Sequence, residues 1–436
     1  MKDISIKILQ FKLRWLSRFT IARYKPRIIG ITGSVGKTST KFALKTVLAR
    51  NYRVRASAGN LNNELGLSLA ILGDWKEKDL MLVSHSTSIR QAQDRPAGTA
   101  KIRKIFFWFK VLTSSAWRII KKDEHYPEIL ILEYGADRPG DIKHLLKIAR
   151  PEMSVITAVG EIPVHVEFFA GPDDIAREKG RLIECLPAAG QAVLNGDDET
   201  VVRLKSRTRA RVTTFGFLKE TDVRITRFEN SIEDDVPVGI SFKLEYQGAV
   251  VPVHMKGVFG KAQVYAAAAA ATVGLAFGMN LVAISEALGN YVPAPSRMRL
   301  LTGIKGTLII DDCYNASPLS MHAALDALRD LPAKRKVAVL GDMLEIGKYT
   351  VEAHEQIGNF AGKFLDVLIT VGARAKFIAE TAKAAGMKNT DILSFDTADN
   401  AKKFVRELIR KGDLVLIKGS HSMELNKVVE EVTYVS

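Results

Sequence analysis

From Arg27 onward, short apolar runs alternate with stretches of helical periodicity. RIIGIT, EILILE, MSVITAV and QAVLN read as short buried strands, and helices are predicted between or after them at 36–49, 139–149 and 173–186. This alternation predicts an α/β fold, a parallel sheet flanked by helices. Over 222–257 the pattern changes: VRITRF, GISFKLEY and AVVPVHM alternate as strands of a small antiparallel sheet do. An alanine-rich helix is predicted over 261–277, and YVPAPSR at 291–297, with two prolines, reads as an interdomain linker. Beyond it TLIIDD, KVAVLGD, DVLITVG and LVLIKGS read as strands, with helices at about 318–330, 350–363, 374–385 and 398–410. That is the pattern of a smaller, Rossmann-like doubly wound domain. The domains expected are therefore 27–293 and 294–436, with a segment 1–26 ahead of them and an insertion at about 74–126.

These two extra segments share a character. Residues 1–26 place Ile4, Ile8, Phe11, Trp15 and Phe19 at helical spacing, with basic residues between them. Residues 101–122 do the same with Ile102, Ile105, Phe109, Leu112, Ala116 and Ile120. Charge sharpens the picture. The chain carries +15, and residues 1–27 hold eight Lys/Arg against the single acid Asp3, while 101–122 hold seven and no acid. The rest is almost neutral, which argues against a nucleic-acid binder with a diffuse basic face. Basic amphipathic helices with aromatic residues suit an anionic membrane surface. The other reading is two helices packed on the protein with solvated basic faces.

Two cysteines far apart, Cys185 and Cys313, fit a reducing compartment and exclude a four-cysteine zinc site. Charges at Lys7, Lys12 and Arg14 interrupt any secretory signal. The longest apolar run, IFFWF, ends at Lys110, far short of the roughly 20 residues a span needs. A cytoplasmic protein, peripheral at most, is expected.

The chemistry centres on GITGSVGKTST. Ile31 occupies the first glycine position of the usual G-x-x-x-x-G-K-[ST] pattern, and the rest fits: a strand before, a helix after, glycines between. Gly33, Ser34, Gly36, Lys37, Thr38 and Ser39 are the candidate phosphate-binding residues. Lys37 would reach the β- and γ-phosphates and the Thr38 hydroxyl would bind Mg²⁺. Glu133 ends the strand EILILE and supplies a carboxylate suited to that hard cation. His165 follows a third strand at the same edge, where a lone histidine is as a rule structural. Lys179 in REKG by itself reads as a surface charge. A guanine-reading N-K-x-D is missing from the sequence, which argues against a GTPase.

Taken together, TGSVGKTST, GNLNNELG, LEYGADRPGDI, VHVEFF and IAREKG fall in the order and spacing of the Mur ligases, and the chain resembles that family over roughly residues 28–436. IIDDCYNASPLSMHAAL, VLGDMLEIG and KGSHSMELNKVV resemble the branch that adds D-alanyl-D-alanine to a muramoyl tripeptide. The resemblance implies ATP-dependent, ADP-forming amide synthesis for the cell wall: the γ-phosphate activates a carboxylate as an acyl phosphate, which an amine then attacks. It implies two Mg²⁺ ions, with Thr38 and Glu133 at the nucleotide metal, His165 at the second, and a carbamylated Lys179. Asp312 and Asn315 match positions that hold ribose and adenine, Arg297 one that reaches the phosphates when the domains close. Asn60, Asn62 and Asn63 match a substrate loop, their other reading being an asparagine-rich turn. A monomer is expected.

The departures matter too. About 27 residues precede the first strand, where the family pattern has a domain of about 80 that grips the UDP-sugar. GKAQVYA, with Ala262, Gln263 and Ala266, stands where the family has GxHNxxN, and the insertion is foreign to that pattern. The expectation is retained ligation chemistry with altered recognition of the carbohydrate end, the acceptor being UDP-linked or lipid-linked. A Mur-like amidating enzyme and a non-catalytic, nucleotide-binding membrane adaptor are the alternatives.

Overall fold

The computed structural model describes residues 2–57, 59, 61–80, 97–234 and 236–434. Two sheets organise the chain. The first contains β1 (Arg27–Thr32), β2 (Val54–Ala56), β3 (Ile129–Glu133), β4 (Met153–Ile156), β5 (Gln191–Asn195), β6 (Arg211–Gly216), β7 (Val223–Glu233), β8 (Val236–Tyr246) and β9 (Ala249–Lys256). Its order is β2-β3-β1-β4-β5-β6-β7-β8-β9. The second contains β10 (Arg299–Thr302), β11 (Leu308–Asp311), β12 (Arg335–Gly341), β13 (Val367–Val371), β14 (Ile392–Phe395) and β15 (Asp413–Lys418), ordered β10-β11-β15-β12-β13-β14. Both domains are α/β as expected, and the expected linker at 291–297 contains no helix or strand.

Two particulars differ from the sequence reading. The antiparallel strands β7, β8 and β9 are not a separate sheet: β7 joins β6 in parallel over Phe215↔Val223 and Gly216↔Arg224, which extends the parallel sheet. The second concerns the basic helices. The first spans Lys2–Tyr24 and the second Ala97–Ile120. The stripe Ile8, Phe11, Trp15 and Phe19 is exposed, and Leu9, Leu13 and Leu16 point inward instead. They meet Phe107, Val111 and Leu112 of the second helix over Leu69 and Leu72, a small core of its own. Ile4 and Ile102 lie outside the described side chains.

The central strand explains where chemistry can occur. β1 is buried beyond Arg27 and lies between β3 and β4, with Ile31 opposite Glu133 and Thr32 opposite Ile156. All three strands run parallel, so the turns leaving their carboxyl ends share one edge, the usual ligand edge of such sheets. The helix Lys37–Leu48 packs on the alanine-rich helix Lys261–Ala276, whose Ala266 to Ala271 are all buried. Small side chains permit that close approach. A second apolar cluster crosses the domain junction without a break, from Ile156, Val159 and Phe259 to Met298, Met321 and Leu328.

Candidate active site

The loop after β1 has the backbone form that a phosphate cradle requires. Gly33 has φ 149°, and a Cβ there would sit 2.1 Å from Thr157 Oγ1, so no larger residue fits. Gly36 (φ 89°) caps the helix Lys37–Leu48 and brings no side-chain oxygen to its first N–H groups. That leaves the positive end of a helix open to an anion. Lys37 Nζ donates to Gly33 O at 2.7 Å, curled over the loop, and burial pushes its pKa down. Thr38 and Ser39 are buried beneath it. The Ser34 hydroxyl is buried with no partner among the described residues.

Glu133 is fully buried at the end of β3. Lys41 Nζ lies 2.8 Å from its Oε1, while Oε2 faces no donor among the described residues. Lys41 also donates to Ser57 Oγ at 3.1 Å and to Gly59 O at 2.6 Å. A buried carboxylate with an unused oxygen, across the strand from a phosphate loop, has the chemistry a hard divalent cation requires. Lys41 escaped the sequence reading although a signal was present: it stands one turn after Lys37 and in line with Leu44 and Leu48, on the buried face.

Lys179 is no surface charge. It lies in the apolar stripe Ile175, Ala176, Leu182, Ile183 of the helix Pro172–Glu184 and is 2% exposed. Its Nζ donates to Gly33 O at 3.2 Å. Burial first, and then the nearby Lys37 charge, pull its pKa down to about 7. Lys37 in turn feels Glu133, Arg297 and Asp137, so these charges share one neighbourhood.

His165, in a left-handed conformation (φ 70°), stands between the domains. Its Nε2 is 3.2 Å from Asp137 Oδ1, and its Nδ1 is 2.8 Å from Glu345 Oε2 in the C-terminal domain. This contact lowers the Glu345 pKa. Asp137 and Glu345 are additions that only the folded chain reveals. Among the described residues, no group of three or more His, Cys, Asp or Glu could hold a metal by itself.

The C-terminal domain contributes Arg297. Its guanidinium lies 4.1 Å from the Tyr314 ring centroid, its Nε is buried and unpartnered among the described residues, and both neighbours, Ser296 and Met298, have positive φ. Gln263, in the GKAQVYA stretch, is a tie: Nε2 donates to Arg297 O and Oε1 accepts from Tyr291. Asp312 is held by Lys418 at 2.6 Å and by the Met298 N–H at 3.1 Å. Burial raises its pKa in spite of that lysine. Lys418 also donates to Asn315 O at 2.9 Å. Between the domains a cleft of about 1010 Å³ runs from Gly36 and Thr40 past Asn195 and Lys261 to His322.

In the asparagine loop, Asn60 lies outside the described residues. Asn62 O accepts from Gly135 N at 2.9 Å, tying the loop to the turn after β3. Asn63 Oδ1 accepts from Gly66 N at 2.9 Å and caps the helix Glu64–Leu72. Asn63→Ala should cost about 1 kcal/mol and Asn63→Asp much less, read by urea unfolding. An equal loss in both variants would show that the cap contributes nothing. Asn62 and Asn63 line a second cleft, of about 600 Å³, which also touches Asp137 and Arg138 and both basic helices.

Fold and site together define an α/β protein with a glycine loop at an open helix N-terminus, a buried acid beside it and a second sheet domain packed against the first. The Mur ligase middle domain matches residues 117–274, and the Mur ligase glutamate ligase domain matches 296–421. The chain belongs to the Mur ligase family. It is 32% identical over 430 residues to the UDP-N-acetylmuramoyl-tripeptide–D-alanyl-D-alanine ligase of Mycobacterium tuberculosis (strain CDC 1551 / Oshkosh), covering 92% of this chain and 72% of that one. With the Bacillus subtilis (strain 168) ligase of the same name it is 28% identical over 422 residues, 96% and 79% of the two chains. The crystal structure of MurF ligase from Thermotoga maritima in complex with ADP superposes with a TM-score of 0.75 at 26% identity, covering 97% of this chain and 83% of that one.

Proposed function

We propose that this protein is a cytoplasmic, ATP-dependent, ADP-forming ligase that adds D-alanyl-D-alanine to a muramoyl-tripeptide precursor of the cell wall. One observation carries the reading: the buried amine of Lys179 and the buried, half-unpaired carboxylate of Glu133 flank the phosphate loop, with Arg297 reaching in from the second domain. The names of the relatives supply the substrates.

In this reading Gly33 to Ser39 hold the ATP phosphates and Lys37 neutralises the γ-phosphate during its transfer to the acceptor carboxylate. Asp312 and Asn315 stand on the ribose and adenine side, and Asn60, Asn62 and Asn63 on the acceptor side. Thr38 and Glu133 would hold one Mg²⁺; His165 and a carbamylated Lys179 would hold a second. These ions supply positive charge where phosphate charge develops. Lys179 fits carbamylation because only a neutral amine adds CO₂, and its lowered pKa keeps much of it neutral near pH 7. The apolar contact across the domain junction would help to keep water from the acyl phosphate. The incoming amine then attacks the acyl carbon, loses its proton, and phosphate leaves.

A monomer acting on a UDP-linked or lipid-linked acceptor, in contact with an anionic membrane surface through residues 1–26 and 101–122, belongs to the same reading. The test is product mass after incubation with ATP, Mg²⁺, D-alanyl-D-alanine and UDP-muramoyl-tripeptide. ATP-dependent pentapeptide supports the ligase, and a chelator should abolish it. No product and no ADP from either a UDP-linked or a lipid-linked tripeptide would reject it in favour of a non-catalytic adaptor.

A further inference from the structure

The helices Lys2–Tyr24 and Ala97–Ile120 each have two apolar faces, and the fold uses only one. Leu13, Phe107 and Val111 are buried in the small core described above. On the opposite sides Ile8, Phe11, Trp15 and Phe19 stay exposed on the first helix, and Ile105, Phe106, Phe109, Trp117 and Ile120 on the second. Six of the eight exposed Phe and Trp side chains among the described residues lie on these two helices. Phe11, Trp15 and Phe19 touch in series, with ring centroids 6.0 and 5.6 Å apart. Apolar patches of this kind mark interaction sites.

Charge selects the partner. At 3.6 residues per turn, Lys7, Arg14 and Arg18 flank the first stripe on one side, Lys12 and Arg23 on the other. Arg103, Lys110 and Lys121 run along the second stripe. Both helices lack acids among their described side chains. A second copy of the chain would bring cations against cations. An anionic bilayer surface brings phosphate to the cations and an interfacial layer that accepts Trp and Phe. Among the described residues, no helix is long and apolar enough to cross a membrane, so contact is peripheral.

We infer that the outer faces of these two helices form one docking surface for an anionic lipid bilayer, each supplying an aromatic stripe inserted at headgroup depth and a row of cations beside it. The inner faces of the same helices line the roughly 600 Å³ cleft through Leu9, Gln10, Lys104 and Trp108, and that cleft reaches Asp137 beside His165. The docked face is thus one helix thickness from the acceptor side of the site. The inference names the membrane partner of the proposed ligase, but vesicle binding does not depend on ligation.

The test uses the full chain and vesicles of phosphatidylcholine with or without 30% phosphatidylglycerol, read by flotation. We expect at least tenfold stronger partition onto the anionic vesicles and a blue shift of tryptophan emission, since Trp15 and Trp117 are exposed in the free protein. The variant F11S/F19S/F106S/F109S changes only exposed side chains and should lose at least tenfold in partition while its circular dichroism and ATPase or ligase turnover on a soluble acceptor stay unchanged. Equal partition of variant and parent, equal binding to neutral vesicles, or no binding with a dimer in sedimentation would each overturn the inference. Vesicle binding without any ligation would leave it standing and remove the ligase reading alone.

Discussion

Lys179→Met should cut ADP formation about a thousandfold and at the same time raise the melting temperature of the ligand-free protein. The two effects share one cause. The Lys179 amine sits 2% exposed in an apolar helix stripe, and burial brings its pKa from 10.5 to about 7. A folded-state pKa below the unfolded one means that the unfolded chain holds more protons between those values. Stability therefore falls as pH drops from 10.5 to 7, and the whole penalty is present below about 7. That penalty is on the order of 5 kcal/mol. Methionine removes it and fills similar volume, so the variant should melt several degrees higher at pH 6.5 and gain little at pH 10.5. Activity should fall about a thousandfold, the scale of losing a group that stabilises transition-state charge. In the parent enzyme, turnover should also decline as pH falls through 7, because a protonated amine cannot take up CO₂. A ¹³C carbamate resonance after equilibration with labelled bicarbonate, absent from the variant, completes the experiment. A variant that keeps a tenth of parental turnover would remove Lys179 from the mechanism.

The second large effect concerns a residue that no sequence motif singled out. Lys41 and Glu133 form an ion pair at 2.8 Å with both side chains fully buried. Lys41→Met leaves Glu133 charged without its partner and should cost about 3–5 kcal/mol, read by urea unfolding. Adding Glu133→Gln removes the stranded charge, so the double variant should recover most of that stability. Activity should not follow, because an amide cannot replace a carboxylate as a ligand for a hard cation. Glu133→Gln alone should lose two to three orders of magnitude in turnover and leave Lys41 as the stranded partner. If the single and double variants unfold at the same urea concentration, the pair has no coupling and Lys41 is held by Ser57 and Gly59 alone.

Much of the fold was legible in the residues themselves. Apolar runs of four to six residues between helical stretches are strands of a parallel sheet because only that arrangement buries both faces of such a run. The helices at 318–330 and 350–361, and the irregular stretch at 291–297, lie where periodicity and proline place them. The turn through Gly33 and Gly36 and the helix that starts at Lys37 were legible because backbone with positive φ tolerates few residues besides glycine. Glu133 was legible from its place at a strand end.

What periodicity could not decide was which of two apolar faces a helix buries. In Lys2–Tyr24 the aromatic stripe is the stronger signal along the sequence, yet Leu9, Leu13 and Leu16 make the contact, because Leu69, Leu72, Phe107 and Val111 fit them and no described residue covers the other side. For Lys41 and Lys179 helical spacing marked the face but not the partners, since only the neighbouring elements that close over each lysine fix its surroundings. The link from His165 to Glu345 joins residues far apart in the chain through the docking of two domains. The sequence by itself determined the two α/β sheets, the glycine turn after β1 and the acid that ends β3, since these follow from local pattern and backbone chemistry. Tertiary structure alone decided which lysines are buried, which charges meet and which aromatic face stays open, since burial and Coulomb coupling depend on distances that the order of residues does not contain.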